Sequence, residues 1–356
     1  MLKDTIDFSA IRRALVIKLR HHGDVLLTAP VFSALRQHAP RLELDALIYR
    51  DTEEMLSGHP AISRIFTVDR AGKKNGAPAR IAAEWRLLKE LRARNYDLIV
   101  HLTESPRGAW LARLLGARYA VAREYPGKRG RLWRTSFTHV YRISGKPRHT
   151  VEIHLDALRR LGLQPQGERR LTLVPGAESE AAIGELLRRH GLAPKSYVHL
   201  HPTSRWLFKC WEVEKYAALI DALQDTGVRV VVTASPAEHE LEFVRRVMAK
   251  TRKPAVDLSG KLSLKQLAAL TAQAKCFVGV DSVPMHIAAA MQTPVAALFG
   301  PSGDLEWGPW QVKARVLTTN HSCRPCGMDG CAGSKISECL TTITVEEVLG
   351  AIKELL

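Results

Sequence analysis

Short apolar segments alternate with amphipathic segments along the chain, and this alternation limits the possible fold more than any other feature. In the first half, runs rich in apolar and β-branched residues cover 14–19, 42–49, 64–68, 96–102 and 118–122. Segments with the helical spacing of apolar residues lie between these runs, at 24–38, 79–94 and 106–115. Strands that alternate with crossover helices are typical of a parallel α/β sheet. The pattern therefore predicts such a sheet in the first half.

The second half repeats the pattern after a Pro/Gly-rich segment, "QPQGERRLTLVPGAESE", which we interpret as a linker near residues 165–178. Its predicted strands are "SYVHLHP", "VRVVVTAS", "CFVGV" and "PVAALFG", with helical segments between them. A chain of 356 residues is also long for one hydrophobic core. We predict two parallel α/β domains facing a central cleft, residues 1–172 and 173–356. The last segment, 344–356, is a helix that could pack back on the first domain.

The sequence has the features of a protein that works in the cytoplasm. We find no apolar run of the roughly 18 residues that span a bilayer, and acidic residues interrupt the start, unlike in a signal peptide. Six cysteines in 356 residues do not make a disulfide scaffold. We therefore expect a cytoplasmic protein with reduced thiols.

Positive charge is concentrated in the first half. Residues 1–175 carry 32 Lys and Arg against 17 Asp and Glu, a balance of +15, whereas residues 176–356 carry 20 against 19. The densest basic run lies between Arg118 and Arg148, where Tyr125 and Trp133 could meet lipid headgroups or pack within the loop. A one-sided charge predicts an anionic partner: nucleic acid, a membrane surface or a phosphorylated substrate.

Asp24 follows the first apolar strand directly, in "VIKLRHHGDVLLTAPVFSALR". A carboxylate at this position has two interpretations. It could cap the helix that follows, or it could be a reactive group at the edge of a ligand cleft, because ligands of open α/β sheets bind beyond the carboxyl ends of the strands.

Three strand ends of the second half carry residues suited to a nucleotide. "HPTSRWLFKCW" places hydroxyls and a lysine before a helix, which suits a phosphate but also describes a basic surface loop. Glu240 could bind ribose hydroxyls or merely bias the charge of a helix start. "GVDSVPMHIAAAMQTPVAALFGPS" joins a glycine-containing strand end to a helix start, with neither dinucleotide nor P-loop spacing. The candidate residues are Thr203, Ser204, Lys209, Glu240, Asp281, Ser282 and His286.

Three motifs make the chain resemble glycosyltransferase family 9, the lipopolysaccharide heptosyltransferases, and most of all its inner-core type III branch. They are "IKLRHHGDVLLTAP", "HPTSRWLFKCW" and "GVDSVPMHIAAAMQTPVAALFGPS". The resemblance covers nearly the whole chain. It implies a GT-B architecture of two Rossmann-like domains that transfers heptose from ADP-heptose with inversion, needing no metal ion or other cofactor. The acceptor implied is phosphorylated lipid A–core, bound by the basic domain.

The resemblance also assigns roles to the candidate residues. It makes Asp24 the general base and Lys209 the cation that neutralises the departing ADP. Thr203 and Ser204 also bind phosphate, Glu240 binds ribose, and Asp281, Ser282 and His286 bind the diphosphate and the heptose. Where relatives often have other residues before Gly-Asp, this chain has His21 and His22, so a histidine could assist or replace Asp24. Ser282 and Val283 stand where relatives often have Thr-Gly, which leaves open which backbone N–H meets the phosphate.

The basic run fits this acceptor, because the inner core, lipid A and the inner membrane are all anionic. We expect acceptor phosphates or the membrane to be held by Lys128, Arg129, Arg131 and Arg134. The enzyme would then sit peripherally on the cytoplasmic face of the inner membrane and bind no nucleic acid. The oligomeric state stays open.

Four cysteines near the end follow the spacing C-x2-C-x4-C-x7-C, at Cys323, Cys326, Cys331 and Cys339. Such spacing resembles a structural zinc knuckle. The alternative is a set of reduced packing thiols, and we expect no metal in the active site.

Three other functions remain possible on the sequence. A heptosyltransferase of type I or II would use a different acceptor, and another GT-B nucleotide-sugar enzyme would use a different donor. A non-catalytic anion-binding protein would account for the charge alone. Its nucleic-acid version would bind with steep salt dependence.

Overall fold

The computed structural model describes residues 4–70, 76–125, 130–143, 145–167 and 169–356. The chain divides into two compact units, which we call unit 1, Met1–Thr172, and unit 2, Leu173–Leu356. Each unit contains one six-stranded parallel sheet with helices around it. This confirms the prediction of two Rossmann-like parallel-sheet domains.

Unit 1 is built on strands β1 to β6, in the sheet order β3-β2-β1-β4-β5-β6. The central strands are buried on both faces, so they read as apolar runs without alternation. The strands are β1 Arg13–Lys18, β2 Glu43–Tyr49, β3 Arg64–Val68, β4 Leu98–His101, β5 Tyr119–Arg123 and β6 His139–Tyr141. The helices are α1 His22–Leu26, α2 Ala29–His38, α3 Gly76–Ala93, α4 Pro106–Leu115, α5 Arg131–Ser136 and α6 Thr150–Arg160. Two 3₁₀ turns cover Phe8–Ala10 and Arg50–Met55.

The helix predicted at residues 24–38 is two helices, because the chain breaks between Leu26 and Ala29. Pro30 lies in the first turn of α2, where its missing N–H costs nothing and its fixed φ favours a new start. The break leaves the Leu27 carbonyl free to bond a side chain of α6, as described below. Glycine is required after α6 for two reasons. Gly162 has a φ of +98°, and a Cβ there would lie 2.6 Å from the Thr5 side chain.

Unit 2 repeats this arrangement in the sheet order β12-β11-β10-β7-β8-β9. The strands are β7 Tyr197–His201, β8 Arg229–Val232, β9 Val256–Asp257, β10 Cys276–Val280, β11 Val295–Leu298 and β12 Ala314–Leu317. The helices are α7 Ala177–Arg189, α8 Val213–Asp225, α9 Glu238–Met248, α10 Leu264–Gln273, α11 Val283–Ala290, α12 Asp304–Trp307, α13 Glu338–Thr341 and α14 Val345–Leu355. Two 3₁₀ turns cover Leu207–Lys209 and Cys331–Gly333.

The last helix, α14, begins with a capping box formed by Thr344 and Glu347. Its side chains Val348 and Ile352 are buried in the main apolar core of unit 2, which also contains Trp211. The packing of 344–356 on the first domain stays a prediction. Within the described part of the chain, no helix combines the length and apolar character needed to cross a membrane.

Candidate active site

Both sheets have the same strand order. In each sheet, the strands that follow one central strand in sequence lie on one side, and those that follow the other central strand lie on the opposite side. The central strands are β1 and β4 in unit 1 and β7 and β10 in unit 2. Their carboxyl ends form a topological switch point, where open α/β sheets bind ligands. Asp24 follows β1, Thr203 and Ser204 follow β7, and Asp281 and Ser282 follow β10. The predicted residues therefore lie at two such edges, one in each unit.

In unit 1, the Asp24 carboxylate lies beside a buried cation. Its Oδ1 is 3.5 Å from the Nζ of Lys18, the last residue of β1. Asp24 stands in the first turn of α1, but the N-cap position belongs to His21, whose side chain makes no capping bond. The simple capping interpretation of Asp24 therefore does not describe this helix.

Lys18 has a partner for each of its three ammonium protons. Besides Asp24, its Nζ donates to the Leu102 carbonyl at 3.1 Å and lies 3.0 Å from His154 Nε2. The other ring nitrogen of His154, Nδ1, lies 3.0 Å from the Leu27 carbonyl, which can only accept. His154 is therefore protonated on Nδ1 and accepts from Lys18 through Nε2.

Burial controls the protonation of this cluster. It lowers the pKa of Lys18 to about 8, against the opposing effect of the neighbouring Asp24 charge. Burial, followed by the Lys18 charge, lowers the pKa of His154 well below its usual value. The histidine is thus a neutral acceptor at physiological pH. Lys18 and His154 are not among the residues predicted from the sequence, although a lysine at the end of an apolar strand beside the Gly-Asp motif was a visible signal.

The predicted acceptor residues of unit 1 are scattered. His21 is exposed, with its Nδ1 3.3 Å from a guanidinium nitrogen of Arg70, and His22 is half-buried. Arg131 and Arg134 are exposed on α5. Lys128 and Arg129 lie outside the described residues. The aromatic neighbours of this run are not available to lipid, because Tyr125 and Trp133 are buried and Trp133 Nε1 donates to the Arg123 carbonyl at 3.2 Å.

In unit 2, a second lysine–aspartate pair lies at the switch point. Lys209 Nζ donates to Asp281 Oδ2 at 2.6 Å. Its side chain is 24% exposed, against 8% for that of Lys18. Asp281 immediately follows β10, whereas Lys209 comes from the 3₁₀ turn after β7, so the pair joins the ends of two adjacent strands. A partly exposed ammonium at a strand end can meet an anionic ligand directly.

The start of α11 completes this edge of unit 2. Ser282 is its N-cap residue, with extended backbone angles, and its hydroxyl donates to the Val280 carbonyl at 3.3 Å instead of capping the helix. His286 is buried in the same helix. Gly279, just before Asp281, has no room for a side chain, because a Cβ would lie 2.8 Å from the Phe277 ring and 3.0 Å from the His201 carbonyl. A side chain at 279 would therefore push β10 away from β7.

Behind the strand ends of unit 2 runs a buried series of hydrogen bonds. Thr271 Oγ1 donates to the Leu267 carbonyl at 2.7 Å, so it accepts from His199 Nδ1 at 3.0 Å. His199 Nε2 then accepts from Thr233 Oγ1 at 2.7 Å, and Thr233 in turn accepts from His201 Nδ1 at 2.8 Å. Burial lowers the pKa of both histidines, that of His201 to about 4, so both act as neutral links. Thr271, His199, Thr233 and His201 are not among the residues predicted from the sequence.

Thr203 lies at the end of this series, and Glu240 is another buried nucleotide candidate. Thr203 Oγ1 is 3.5 Å from His201 Nε2, and both residues are buried. Glu240 is buried in the first turn of α9 and accepts a hydrogen bond from the Ser235 hydroxyl. Burial lowers the pKa of His201, and the Glu240 charge opposes this effect. Thr203 therefore continues the buried series, whereas Ser235 holds Glu240 by a hydrogen bond.

The four C-terminal cysteines give the zinc hypothesis no support. Cys323 and Cys326 are exposed, Cys339 is buried, and all four carry free thiols. No group of three or more His, Cys, Asp or Glu side chains is arranged to hold a metal ion in residues 4–70, 76–125, 130–143, 145–167 and 169–356. Their loop is held instead by Arg324, whose guanidinium donates to the Gly300 carbonyl at 2.7 Å and pairs with Asp304 at 3.1 Å.

Comparison with known proteins identifies the class to which these sites belong. The model of glycosyltransferase family 9 (heptosyltransferase) matches residues 84–336. A lipopolysaccharide heptosyltransferase 3 of Escherichia coli K12 is 36% identical over 342 residues, covering 95% of this chain and 96% of that protein. The chain therefore belongs to glycosyltransferase family 9 and is a glycosyltransferase of the heptosyltransferase class.

Solved structures agree with the fold. A family 9 glycosyltransferase from Veillonella parvula superposes with a TM-score of 0.85 at 25% identity, covering 98% of both chains. The ADP-heptose lipopolysaccharide heptosyltransferase II of Escherichia coli gives a TM-score of 0.76 at 22% identity, covering 96% of this chain and 98% of that one. The prediction of a GT-B fold is thereby confirmed.

Proposed function

We propose that this enzyme transfers L-glycero-D-manno-heptose from ADP-heptose to the heptose region of the lipopolysaccharide inner core, adding the third heptose to the second. The observation that carries the proposal is the similarity over 95% of the chain to a lipopolysaccharide heptosyltransferase 3. In this proposal unit 1 binds the acceptor and unit 2 binds the donor.

The donor would lie at the carboxyl ends of β7, β8 and β10. The Thr203 and Ser204 hydroxyls and the Lys209 ammonium would bind the diphosphate, and the buried Glu240 carboxylate would accept from the ribose hydroxyls. The start of α11, with Ser282 at its N-cap, offers backbone N–H groups and a favourable dipole to the same anion. Asp281 and His286 would contact the diphosphate and the heptose.

In the reaction, the acceptor hydroxyl attacks the anomeric carbon from the face opposite ADP. A new bond forms between that carbon and the acceptor oxygen, and the bond between the carbon and the phosphate oxygen breaks. The electron pair leaves with ADP, the acceptor proton passes to Asp24, and the configuration inverts. Lys209 compensates the charge that grows on the departing diphosphate. This scheme uses ADP-heptose as a substrate and includes no metal ion or other cofactor.

Asp24 suits the role of base because an ion pair with the buried Lys18 fixes the position of its carboxylate. The buried Lys18 ammonium, held by the Leu102 carbonyl and His154, fixes one side of the carboxylate. Asp24 itself is only partly buried, so its second oxygen can meet an acceptor hydroxyl. His21 and His22 flank this carboxylate in sequence and could contact the acceptor or assist Asp24.

The acceptor is anionic, and unit 1 carries the excess of positive charge. We propose that Arg131 and Arg134, with Lys128 and Arg129 beside them in sequence, meet acceptor phosphates. The enzyme would work in the cytoplasm, held peripherally at the inner membrane, and would bind no nucleic acid.

An ADP-release assay with ADP-heptose tests the proposal. Acceptors carrying no, one or two inner-core heptoses are offered separately, and ADP-glucose serves as the control donor. We expect ADP release only with ADP-heptose and the acceptor that carries two heptoses. Turnover on a shorter acceptor would favour a type I or II enzyme instead. Absence of release on every acceptor would contradict heptose transfer.

A further inference from the structure

The large apolar side chains that unit 1 exposes all lie in one place among its described residues. They belong to α3 and α4: Ile81, Trp85, Trp110 and Leu114. Trp85 is 64% exposed and Trp110 is 54% exposed. Scattered apolar residues on a surface are ordinary, but clustered ones indicate an interaction site. Two exposed tryptophans on adjacent helices are therefore a feature to explain.

The four side chains line a groove between α3 and α4 with a volume of about 390 Å³, which we call the tryptophan groove. Two polar contacts bridge the helices. Arg107 pairs with Glu84, and Arg92 Nε donates to the Leu114 carbonyl at 2.9 Å. The groove is thus a built feature of unit 1, with a floor formed by the buried Leu88 and Leu111.

Part of α3 stands outside the packed core. Residues 81–86 are all exposed, and burial begins only at Leu87 and Leu88. An amphipathic helix in a globular domain normally buries one face along its length. Here the exposed stretch includes Ile81 and Trp85, which leaves apolar area uncovered by unit 1 itself.

The charges around the groove indicate what covers it. The described side chains of helices α3 and α4 include five Lys and Arg residues against two Glu residues, a balance of +3. Two copies of this surface would repel each other, which disfavours a dimer through the groove. Tryptophan side chains concentrate at the headgroup level of bilayers. Basic side chains around them are attracted to an anionic surface.

We propose that the tryptophan groove docks unit 1 on an anionic phospholipid bilayer, with Trp85 and Trp110 at the level of the headgroups. The inference deepens the proposed function, since it rests on an acceptor that is anchored in a membrane. Arg131 and Arg134 lie on α5, which packs against α4, and they supply charge, whereas the groove supplies apolar area as well as charge.

Vesicle co-sedimentation tests this without any heptose transfer. Vesicles of phosphatidylethanolamine and phosphatidylglycerol are mixed with the wild type, with W85S/W110S, and with L305S. Leu305 is an exposed apolar residue of unit 2 and serves as the matched control. We expect the wild type and L305S to sediment with these vesicles alike, and the partition coefficient of W85S/W110S to fall on the order of tenfold or more. Phosphatidylcholine vesicles should bind the wild type less, because they carry no net charge.

Two further measurements keep the result interpretable. Thermal melts of the variants establish that W85S/W110S is folded, and gel filtration compares its size with that of the wild type. Equal vesicle binding by W85S/W110S and the wild type would overturn the proposal, as would a wild type that ignores anionic vesicles. A wild-type dimer that W85S/W110S dissociates would also overturn it, by making the groove an interface between copies. Vesicle binding with no ADP release on any acceptor would leave the groove assigned and remove only the proposed function.

Discussion

The two units have one topology but use it differently. Each has the order 3-2-1-4-5-6 when its strands are numbered from its own first strand, and each carries a lysine–aspartate pair at the switch point. In unit 1 the lysine ends the central strand, is buried, and is also held by a carbonyl and a histidine. In unit 2 the lysine comes from a turn, is three times as exposed, and donates to Asp281.

This difference indicates which member of each pair meets the substrate. A buried lysine with its three protons occupied can position a carboxylate but cannot reach a ligand, so we propose that in unit 1 the aspartate is the group that meets the substrate. In unit 2 the exposed ammonium can meet an anion, and the aspartate holds it in place. The same type of pair would therefore provide a proton acceptor, the aspartate, in unit 1 and an anion-binding group, the lysine, in unit 2.

The largest effect is expected from Asp24→Asn, which keeps the shape of the side chain and removes its basicity. Loss of a general base should lower kcat by about 10²–10⁴-fold. ADP binding, measured by calorimetry, should stay at the wild-type value, because unit 2 is untouched. Activity retained in this variant would transfer the role of base to another group, with His21 and His22 the first to examine by the same substitution.

Lys209→Met should weaken both donor binding and catalysis. Removing a cation that compensates charge on a leaving group costs on the order of 10²–10³-fold in kcat, and the affinity for ADP should fall in the same variant. The control is Lys335→Met, since Lys335 is an exposed lysine paired with Asp329 at 3.1 Å. Loss of kcat with unchanged ADP affinity would argue against a ground-state contact between Lys209 and the diphosphate.

Lys18→Met tests the buried partner, and here the effect should depend on pH. Above about pH 8 the wild-type Lys18 loses its proton and Asp24 loses its ion pair, so kcat should decline on the alkaline side. The variant should have a kcat roughly tenfold lower, which corresponds to about 1.4 kcal/mol for one weakened contact. Its kcat should not show the alkaline limb, that is, the decline above about pH 8. A variant that keeps the limb would assign it to a different group.

Stability provides an independent readout for the same lysine. The folded-state pKa, about 8, lies below the ordinary value of 10.5, so between these pH values the unfolded chain holds a proton that the folded chain lacks. The free energy of unfolding of the wild type should therefore rise with pH in this window, relative to Lys18→Met, by up to about 1.4 kcal/mol per pH unit. Parallel pH profiles of urea unfolding in the two proteins would contradict a depressed pKa for Lys18.

The sequence predicted the parallel sheets because strands buried on both faces read as short apolar runs. It predicted less at the sheet edges: β6, β9 and β12 have four residues or fewer and are too short for a periodicity. The break after Leu26 was also missed, because the apolar spacing continues through it. Pro30, which favours a new helix start, was the signal that outweighed the spacing.

Some residues of the candidate site could be predicted from the sequence and others could not. Residues at strand ends, such as Asp24 and Asp281, could be selected from the sequence because a strand end next to a helix start is visible there. Lys18 and His154 are 136 positions apart, and their contact depends on how α6 packs against the broken segment at Leu27. The exposure of Trp85 and Trp110 could not be predicted either, because the spacing of apolar residues in a helix does not show which of them another element covers.

The smallest effect is expected from Thr233→Val, which tests the buried hydrogen-bond series of unit 2. Valine fills the same space, but His199 Nε2 loses its donor and His201 Nδ1 loses its acceptor. Unpartnered buried polar groups should lower the free energy of unfolding by about 1–3 kcal/mol, while kcat changes little because Thr233 is buried and cannot contact the substrate directly. Thr226→Val, an exposed threonine bonded to the Leu223 carbonyl, is the control. A large loss of kcat at unchanged stability would instead mean that the series positions Thr203 for the donor.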